Sequence, residues 1–463
     1  MSQLQLSSAE FRRLAEKVMT AGSELLSTID DRRTVPSTSA AMTEAAFERP
    51  APEQGAGEAV LDDLEALNQH ARLPTGRLFP YVIGSGEPVA AFGDFYASLL
   101  NQNVTAWRSS PAAVAVERTV VRWLAEAIGC DGFSGSLTSG GSLANLMALA
   151  MAREARATAN EEGAEPCIVY ASEEVHMSIP KALALIGVGR ANLRLIPVDD
   201  RFRIDLSALT DSVTADRREG RRAIAVVASA GTITTGAIDP LSELAEIAHA
   251  NDLWLHVDGA YGALAALAEP AKFSGLDLAD SISLDPHKWL YQPLDCSLLL
   301  YRDANIARQT FSYTGDYARA LSDDPVEGFA FFEESVELSR RFRALKLWVS
   351  LRYHGLAAFR EAIARNIGQA QLLAQLVESE PSLELLAPVE LSAVCFRWTG
   401  DDEEVLNRRN EEILRRVTTS GRVALSNATI QGKFALRACI VNHRTTDDDM
   451  HEVIREVLAA AER

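Results

Sequence analysis

The chain has 463 residues, of which 47% are hydrophobic and 24% charged, and this composition is typical of a soluble globular protein rather than a disordered one. Such a length exceeds what one hydrophobic core usually supports, so two or three domains are expected. The formal net charge of −19 argues against nucleic acid or an anionic membrane as a partner and favours a small molecule.

The cysteines and the hydropathy pattern indicate the compartment. Five cysteines are scattered without metal-ligand spacing, which predicts reduced thiols and no bound metal. No apolar run is long enough to span a bilayer, and the first thirty residues lack the hydrophobic core of a signal peptide. We therefore expect a cytoplasmic protein.

Residues 1–80 are predicted to form a helical arm that serves dimerisation. Ser7 precedes Glu10 and an apolar repeat, a pattern typical of a capped amphipathic helix. Residues 34–57 are rich in Pro, Ala, Ser and Glu without a sustained period, which indicates an extended arm or linker, and a second helix is predicted over 59–70. Such an arm either clasps a second subunit or remains a loose tail.

Two glycine-rich loops follow. Residues 84–86, Gly-Ser-Gly, form a turn or contact a ligand, and the turn is the favoured interpretation. Gly140, Gly141 and Ser142 precede a strong helical sequence that runs to Arg153. Small residues at a helix N-terminus leave backbone N–H groups unobstructed, so this end can hold a phosphate. The sequence lacks the lysine of a P-loop, which favours a monophosphate; a glycine turn with a serine cap is the alternative.

From residue 167 onward, short apolar segments alternate with helical periods. Between helices predicted to begin at 178, 206 and 241, strands are predicted at 167–171, 193–197, 223–229 and 254–257. Strands that are apolar throughout and joined by helices indicate a parallel sheet buried on both faces. Ligands bind at the carboxyl ends of strands in such sheets, and Thr232, Asp258 and Lys288 all fall at such ends.

Three side chains near these strand ends are candidates for chemistry. Lys288 follows Pro286 in a stiffened turn, and the aromatic residues after it would desolvate the ammonium group and leave a nucleophilic amine. Asp258, just beyond a buried strand, needs a cationic partner, and a protonated heterocycle would serve. His176 opens a helix, where an imidazole can stack on a flat ring or shuttle a proton. The alternatives are a surface lysine, a helix-capping aspartate and a structural histidine.

Pro286-His287-Lys288-Trp289 is the most specific motif of the chain. Together with the strand-end aspartate and the glycine loop, this motif resembles the group II amino-acid decarboxylases. These are pyridoxal-phosphate enzymes of fold type I and include aromatic-amino-acid, histidine and glutamate decarboxylases. The resemblance extends from the Ser-Pro-Ala at 110–112 to Asn442.

The resemblance implies an α/β fold of the PLP-dependent transferase-like type. A large cofactor-binding domain, with a mainly parallel sheet flanked by helices, is expected over residues 81–345. A smaller C-terminal α/β domain is expected over residues 346–463. The enzyme is expected to be a homodimer with the active site at the subunit interface.

The resemblance also implies the cofactor, the reaction and the site. The cofactor is expected to be pyridoxal 5′-phosphate, and the reaction the α-decarboxylation of an L-amino acid to the amine and CO2. The matched lysine forms a Schiff base with the cofactor, the matched aspartate pairs with the pyridine nitrogen, and the matched histidine stacks over the ring. The expected catalytic residues are Lys288, His176 and Asp258, and the expected cofactor-binding residues are Gly140, Gly141, Ser142, His176, Thr232, Asp258, Ala260, His287 and Lys288.

Several positions depart from the family pattern. Asp285 stands where family members often have Asn, and a carboxylate is an awkward neighbour for a phosphate. Residues 101–108 are more polar than in aromatic-amino-acid decarboxylases, which favours a non-aromatic substrate. Three arginines at 340, 341 and 343 either grip a carboxylate or pair with surface acids, and the second is favoured.

A lid over residues 311–332 bears on the product. Aromatic-amino-acid decarboxylases carry a lid tyrosine, and a gapless count back from the Arg-Arg-Phe-Arg segment puts Phe331 at its place. Phenylalanine cannot donate a proton. The alternative activities are therefore decarboxylation-dependent oxidative deamination to an aldehyde, or another carbon–carbon lyase reaction. Tyr313, Tyr317 and His176 are candidate substitute donors that keep simple decarboxylation ahead.

Overall fold

A seven-stranded sheet lies at the centre of the chain, in a computed structural model that describes residues 4–163, 165–313, 324–400 and 402–462. Its strands are β1 (Ser134–Thr138), β2 (Cys167–Ser172), β3 (Leu193–Ile196), β4 (Arg222–Ser229), β5 (Trp254–Asp258), β6 (Ser281–Leu284) and β7 (Ser297–Tyr301). The order across the sheet is β1-β7-β6-β5-β4-β2-β3, and β7 alone runs in the direction opposite to the other six strands. The predicted mainly parallel sheet is confirmed, and the carboxyl ends of its parallel strands share one edge.

Helices flank this sheet and extend the chain at both ends. In chain order they are α1 (Ser8–Thr28), α2 (Ala40–Phe47), α3 (Asp63–His70), α4 (Pro88–Leu100), α5 (Pro111–Ala127), α6 (Gly141–Ala157), α7 (Ala159–Glu162), α8 (Ser178–Leu185), α9 (Leu206–Arg218), α10 (Leu241–Ala250), α11 (Pro286–Trp289), α12 (Ala304–Phe311), α13 (Ala344–Ser379), α14 (Glu403–Ser420) and α15 (Asp447–Ala461). Among the described helices, none is long and apolar enough to cross a membrane.

Alternate side chains of the strands enter hydrophobic cores on opposite faces of the sheet. Val226 and Val257 pack with the apolar sides of α5, α9 and α10. Val227 and Ala225 pack on the other face, where α6 crosses β4 to β7 and contacts α8 and α12. Because both faces are covered, these strands are apolar throughout, which is the pattern that made them recognisable in the sequence.

A smaller sheet follows near the C-terminus. It contains β8 (Leu383–Leu385), β9 (Ala393–Trp398), β10 (Ser426–Ile430) and β11 (Lys433–Cys439), in the antiparallel order β10-β11-β9-β8. Helices α13, α14 and α15 bury their apolar sides against it. The expected large α/β unit and smaller C-terminal unit of fold type I are confirmed, while the domain limits at residues 80 and 345 stay predictions.

The N-terminal segment differs from its prediction in one place. The capped helix is confirmed, because Ser7 and Glu10 form a reciprocal capping box at the start of α1. The segment predicted to be extended contains α2, which is alanine-rich and whose first turn is capped by the Ser39 side chain accepting from Met42 N. The helix predicted over 59–70 begins as a 3-10 turn before α3.

Candidate active site

The sequence-predicted residues meet at the carboxyl edge of the central sheet. Five strands contribute: the glycine loop follows β1, His176 follows β2, Thr232 follows β4, Asp258 ends β5 and Lys288 follows β6. They surround a cavity of about 290 Å³. All nine predicted residues line it: Gly140, Gly141, Ser142, His176, Thr232, Asp258, Ala260, His287 and Lys288.

Lys288 lies on the short helix α11, and its ammonium group has an acidic partner. Pro286 occupies the first turn of this helix, and Nζ of Lys288 is 2.8 Å from Oδ2 of Asp285. Trp289 is fully buried in the core, where its ring stacks on that of Tyr261 with the two ring planes 4° apart. The prediction that the following aromatic residues surround the amine is therefore wrong. On a helix, consecutive side chains diverge, so Trp289 anchors the turn while Lys288 faces the cavity.

The loop at residues 84–86 supports the lysine turn. Gly84 N donates to the carbonyl oxygen of His287 at 3.1 Å, and a Cβ at Gly84 would collide with that oxygen. Ser85 Oγ is 2.7 Å from Nδ1 of His443. Residues 84–86 do not line the cavity and form no regular turn, and Gly84 is needed for the close approach of two backbones.

Asp258 is buried and surrounded by hydrogen-bond donors. Its Oδ2 accepts from Asn145 Nδ2 at 2.9 Å, and its Oδ1 accepts from Ser283 Oγ at 3.1 Å and from Ala260 N at 3.2 Å. No Lys, Arg or His nitrogen of the described residues lies within ion-pair distance of this carboxylate. Three donors thus face the carboxylate, which still lacks the cationic partner that the sequence led us to expect.

Two histidines line the cavity, and both are held by hydrogen bonds. His176 Nδ1 lies 2.8 Å from Ser178 Oγ, and burial lowers the pKa of His176 although the nearby Asp258 opposes this shift. His287 donates from Nδ1 to the carbonyl oxygen of Cys296 at 2.7 Å, and burial lowers the pKa of His287 as well. Both imidazoles are therefore expected to be neutral at pH 7.

The glycine loop forms a cradle at the N-terminus of α6. A Cβ at Gly141 would lie 2.9 Å from Cβ of Ala260 and 3.0 Å from Oδ2 of Asp285, whereas a Cβ at Gly140 would meet open space. Within the described chain, the amide groups of Gly141 and Ser142 donate no backbone hydrogen bond. Free amides at the start of a 17-residue helix fit a phosphate group, as the sequence predicted.

Some cavity residues were not recognised in the sequence. Asn145 is a polar residue on an otherwise apolar side of α6, and that interruption was the available signal. Glu174 lies two residues before His176, and burial raises the pKa of its carboxyl group. Asp285, which the sequence shows only as an awkward neighbour for a phosphate, lies beside both Gly141 and the amine of Lys288.

The prediction that Phe331 occupies the place of the lid tyrosine is wrong. Its side chain is fully buried, with the guanidinium carbon of Arg340 4.3 Å from the ring centroid, and it does not line the cavity. A gapless count cannot follow a segment that enters the core. Tyr313 is almost fully exposed, and Tyr317 lies outside the described residues.

Two other sequence interpretations can be compared with the structure. Residues 101–108 do not line the cavity of this chain, so their polar side chains do not contact a substrate bound in the cavity of the same subunit. The arginine segment pairs with acids, as favoured, but not only at the surface. Arg340 is buried and pairs with the buried Glu117, whereas Arg341, about half exposed, pairs with Asp295.

The fold and this cavity together define a pyridoxal-phosphate-dependent enzyme of fold type I, and comparison with known proteins agrees. The family model described as the pyridoxal-dependent decarboxylase conserved domain matches residues 52–399. An aromatic-L-amino-acid decarboxylase of Bacillus atrophaeus is 36% identical over 86% of this chain and 83% of its own length. A phenylacetaldehyde synthase of Arabidopsis thaliana is 29% identical over 82% of this chain and 81% of its own length.

The structural comparison covers the whole chain. A crystal structure of Oryza sativa TDC with PLP and tryptamine superposes with a TM-score of 0.94 at 25% sequence identity, over 100% of this chain and 99% of the other. The chain belongs to the pyridoxal-dependent decarboxylase family. Its cofactor is pyridoxal 5′-phosphate, and it is a carboxy-lyase that decarboxylates an amino acid.

Proposed function

We propose that Lys288, Asp258 and His176 are the catalytic residues for α-decarboxylation of an L-amino acid to the corresponding amine and CO2. The observation that supports this proposal is the convergence of the three side chains, from three different strand ends, on one cavity. When bound, the cofactor supplies an electron-withdrawing ring that accepts the electron pair left by the departing carboxylate.

Each residue around the cavity would make a specific contact with that cofactor. Lys288 would bind the aldehyde carbon through Nζ, and the ionised Asp258 would hold a proton at the ring nitrogen. The neutral imidazole of His176 would stack on the ring. The phosphate would lie at the free amides of α6, and the remaining contacts to ring and phosphate would come from Gly140, Gly141, Ser142, Thr232, Ala260 and His287.

Borohydride reduction of the cofactor-loaded protein, followed by peptide mapping, tests the role of Lys288. The label is expected on Lys288 and is expected to disappear in Lys288→Ala. Lys181→Ala, which removes an exposed lysine of the neighbouring helix α8, is the matched control and should keep the label. A label on any other lysine would contradict this description of the site.

Oxidative deamination to an aldehyde is the second candidate activity, because an aldehyde synthase is among the relatives. The sequence argument for it depended on Phe331, which the structure removes from the cavity. We therefore favour simple decarboxylation. A panel of amino acids, with CO2, amine, peroxide and oxygen uptake measured together, separates the two: stoichiometric amine supports our proposal, and stoichiometric peroxide with aldehyde opposes it.

We further propose a homodimer with the active site at the subunit interface. Within the described chain, α1 buries none of its residues, although one of its sides is apolar. The neighbouring helix α4 exposes a row of large apolar side chains, and Phe11 of α1 stacks near Phe95 with ring centroids 6.4 Å apart. The exposed residues are Phe11, Val18, Met19, Leu26, Phe92, Phe95, Tyr96 and Leu99. A surface of this kind fits a second copy of the chain.

Sedimentation equilibrium and activity measured at the same concentrations test this assembly. The wild type is expected to be a dimer, and Phe92→Glu is expected to dissociate it and to reduce turnover. A wild-type monomer that turns over at micromolar concentration would contradict the proposal.

For the compartment we propose the cytoplasm, because all five cysteines are buried free thiols.

A further inference from the structure

We infer that Asn145 is a positioning residue that donates a hydrogen bond to the carboxylate of Asp258 and, through Ser178, fixes the tautomer of His176. This inference rests on the proposed function, since it concerns how those two side chains are prepared for the reaction. It adds a residue to the site that the glycine loop, the strand ends and the lysine motif do not include.

Asn145 lies in the first turns of α6 and is almost fully buried. Its Nδ2 is 2.9 Å from Oδ2 of Asp258 and 2.9 Å from Oγ of Ser178. Its Oδ1 is 3.0 Å from Nε2 of His256. All three partners belong to other elements, so one amide group joins β5, α8 and α6 behind the cavity.

The chemistry of the partners fixes the direction of each hydrogen bond. A carboxylate can only accept, so Nδ2 of Asn145 must face Asp258 and its Oδ1 must face His256. His256 therefore donates from Nε2. Trp254 Nε1 donates to Ser281 Oγ at 2.8 Å, which leaves the hydroxyl proton of Ser281 for Nδ1 of His256, 3.0 Å away. Burial lowers the pKa of His256 to about 4, so this ring is neutral at pH 7 and carries its proton on Nε2.

The second branch reaches His176. Ser178 Oγ accepts from Asn145, so its own proton is directed to Nδ1 of His176 at 2.8 Å. The backbone N–H of Ser178 also points to that nitrogen, at 3.3 Å. Nδ1 of His176 is thus an acceptor, and the proton of the neutral ring is on Nε2. The catalytic histidine consequently presents an N–H at Nε2, while the same asparagine stabilises the negative charge of Asp258.

A measurement on the apo-protein tests this arrangement without any turnover. In ¹⁵N-histidine NMR spectra at pH 7, His176 and His256 are both expected to be neutral with the proton on Nε2, and His176→Gln and His256→Gln assign their signals. In Asn145→Ala, His256 loses its partner at Nε2, and the Ser178 hydroxyl that faces His176 loses the donor that orients it, so tautomer mixtures are expected for both rings. An Nδ1-protonated ring for either histidine in the wild type would overturn the inference.

Cofactor binding provides the second readout. Loss of a hydrogen bond to a buried carboxylate predicts that pyridoxal phosphate binds Asn145→Ala at least about 10-fold more weakly. Binding of inorganic phosphate to the apo-protein should stay within about 2-fold, because the α6 amides are retained. Unchanged cofactor affinity together with an unchanged His176 tautomer would refute the role of Asn145.

Ser178→Ala separates the two branches and serves if Asn145→Ala does not fold. This variant keeps the contact between Asn145 and Asp258, so cofactor affinity should be retained while the tautomer of His176 changes. A changed affinity with an unchanged tautomer would contradict the proposed connection. Failure of the proposed function would show differently, as an absence of CO2 release from wild-type enzyme with the expected histidine tautomers.

Discussion

The buried pair of Arg340 and Glu117 is expected to be the most sensitive electrostatic contact outside the cavity. The Arg340 side chain is 1% exposed and that of Glu117 is not exposed at all. Besides Glu117, Arg340 donates to the carbonyl oxygens of Val104 at 2.8 Å and Leu137 at 2.9 Å. The pair therefore connects the loop before α5, α5 itself and β1, the strand that leads into the glycine loop.

Arg340→Met removes the cation and keeps most of the side-chain volume. Glu117 then keeps the N–H of Leu137, at 3.0 Å, but its charge has lost its buried counter-charge, which costs about 3–5 kcal/mol. Two carbonyl groups also lose a donor, at about 1 kcal/mol each. We expect the free energy of unfolding to fall by about 5–7 kcal/mol. Adding Glu117→Gln neutralises the orphaned charge, so the double variant should be more stable than Arg340→Met alone.

Urea unfolding of the apo-protein at one fixed protein concentration measures these differences. Arg341→Met is the matched control, because its side chain is 48% exposed and its ion pair should contribute less than about 1 kcal/mol. The reasoning would be refuted if Arg340→Met cost no more than Arg341→Met. It would also be refuted if the costs of Arg340→Met and Glu117→Gln were additive in the double variant.

Three further outcomes are expected. Asp258→Asn should reduce decarboxylation by at least about 100-fold, measured as CO2 release, because a neutral amide cannot stabilise a protonated ring nitrogen. Asp285→Asn should bind pyridoxal phosphate more tightly in a fluorescence titration, because it removes a carboxylate beside Gly141 in the phosphate cradle. Burial lowers the pKa of His256 to about 4, so the unfolded chain, with a histidine pKa of about 6.5, binds more protons between these values. The contribution of His256 to the free energy of unfolding is therefore fully present above pH 6.5 and is lost as the pH falls toward 4. Urea unfolding at pH 7 and at pH 5 measures this change. Between these two pH values, the free energy of unfolding should fall by about 2 kcal/mol more in wild type than in His256→Gln.

Sequence alone determined the parallel strands β2 to β5 and the edge of the sheet at which the cavity lies. The strands around Val226 and Val257 are apolar on both faces, and this pattern is specific to a parallel sheet between helices. Because the carboxyl ends of parallel strands share one edge, the side chains that follow them had to meet, and Asp258, His176 and Lys288 do. The strands β1, β6 and β7 were not predicted. β1 and β6 are short and rich in serine, so their apolar pattern is weak.

The tertiary structure alone decided which partners the buried polar groups have. Asn145 lies 113 residues from Asp258 in the sequence and 111 from His256, yet hydrogen bonds join all three. Phe331, which a residue count assigned to a lid, is likewise buried against the guanidinium group of Arg340. Periodicity determines which side of its own helix or strand a residue occupies. Which residue of another element that side chain contacts depends on the strand order and on how α6 crosses the sheet. Both are set by packing of the whole chain rather than by any local segment.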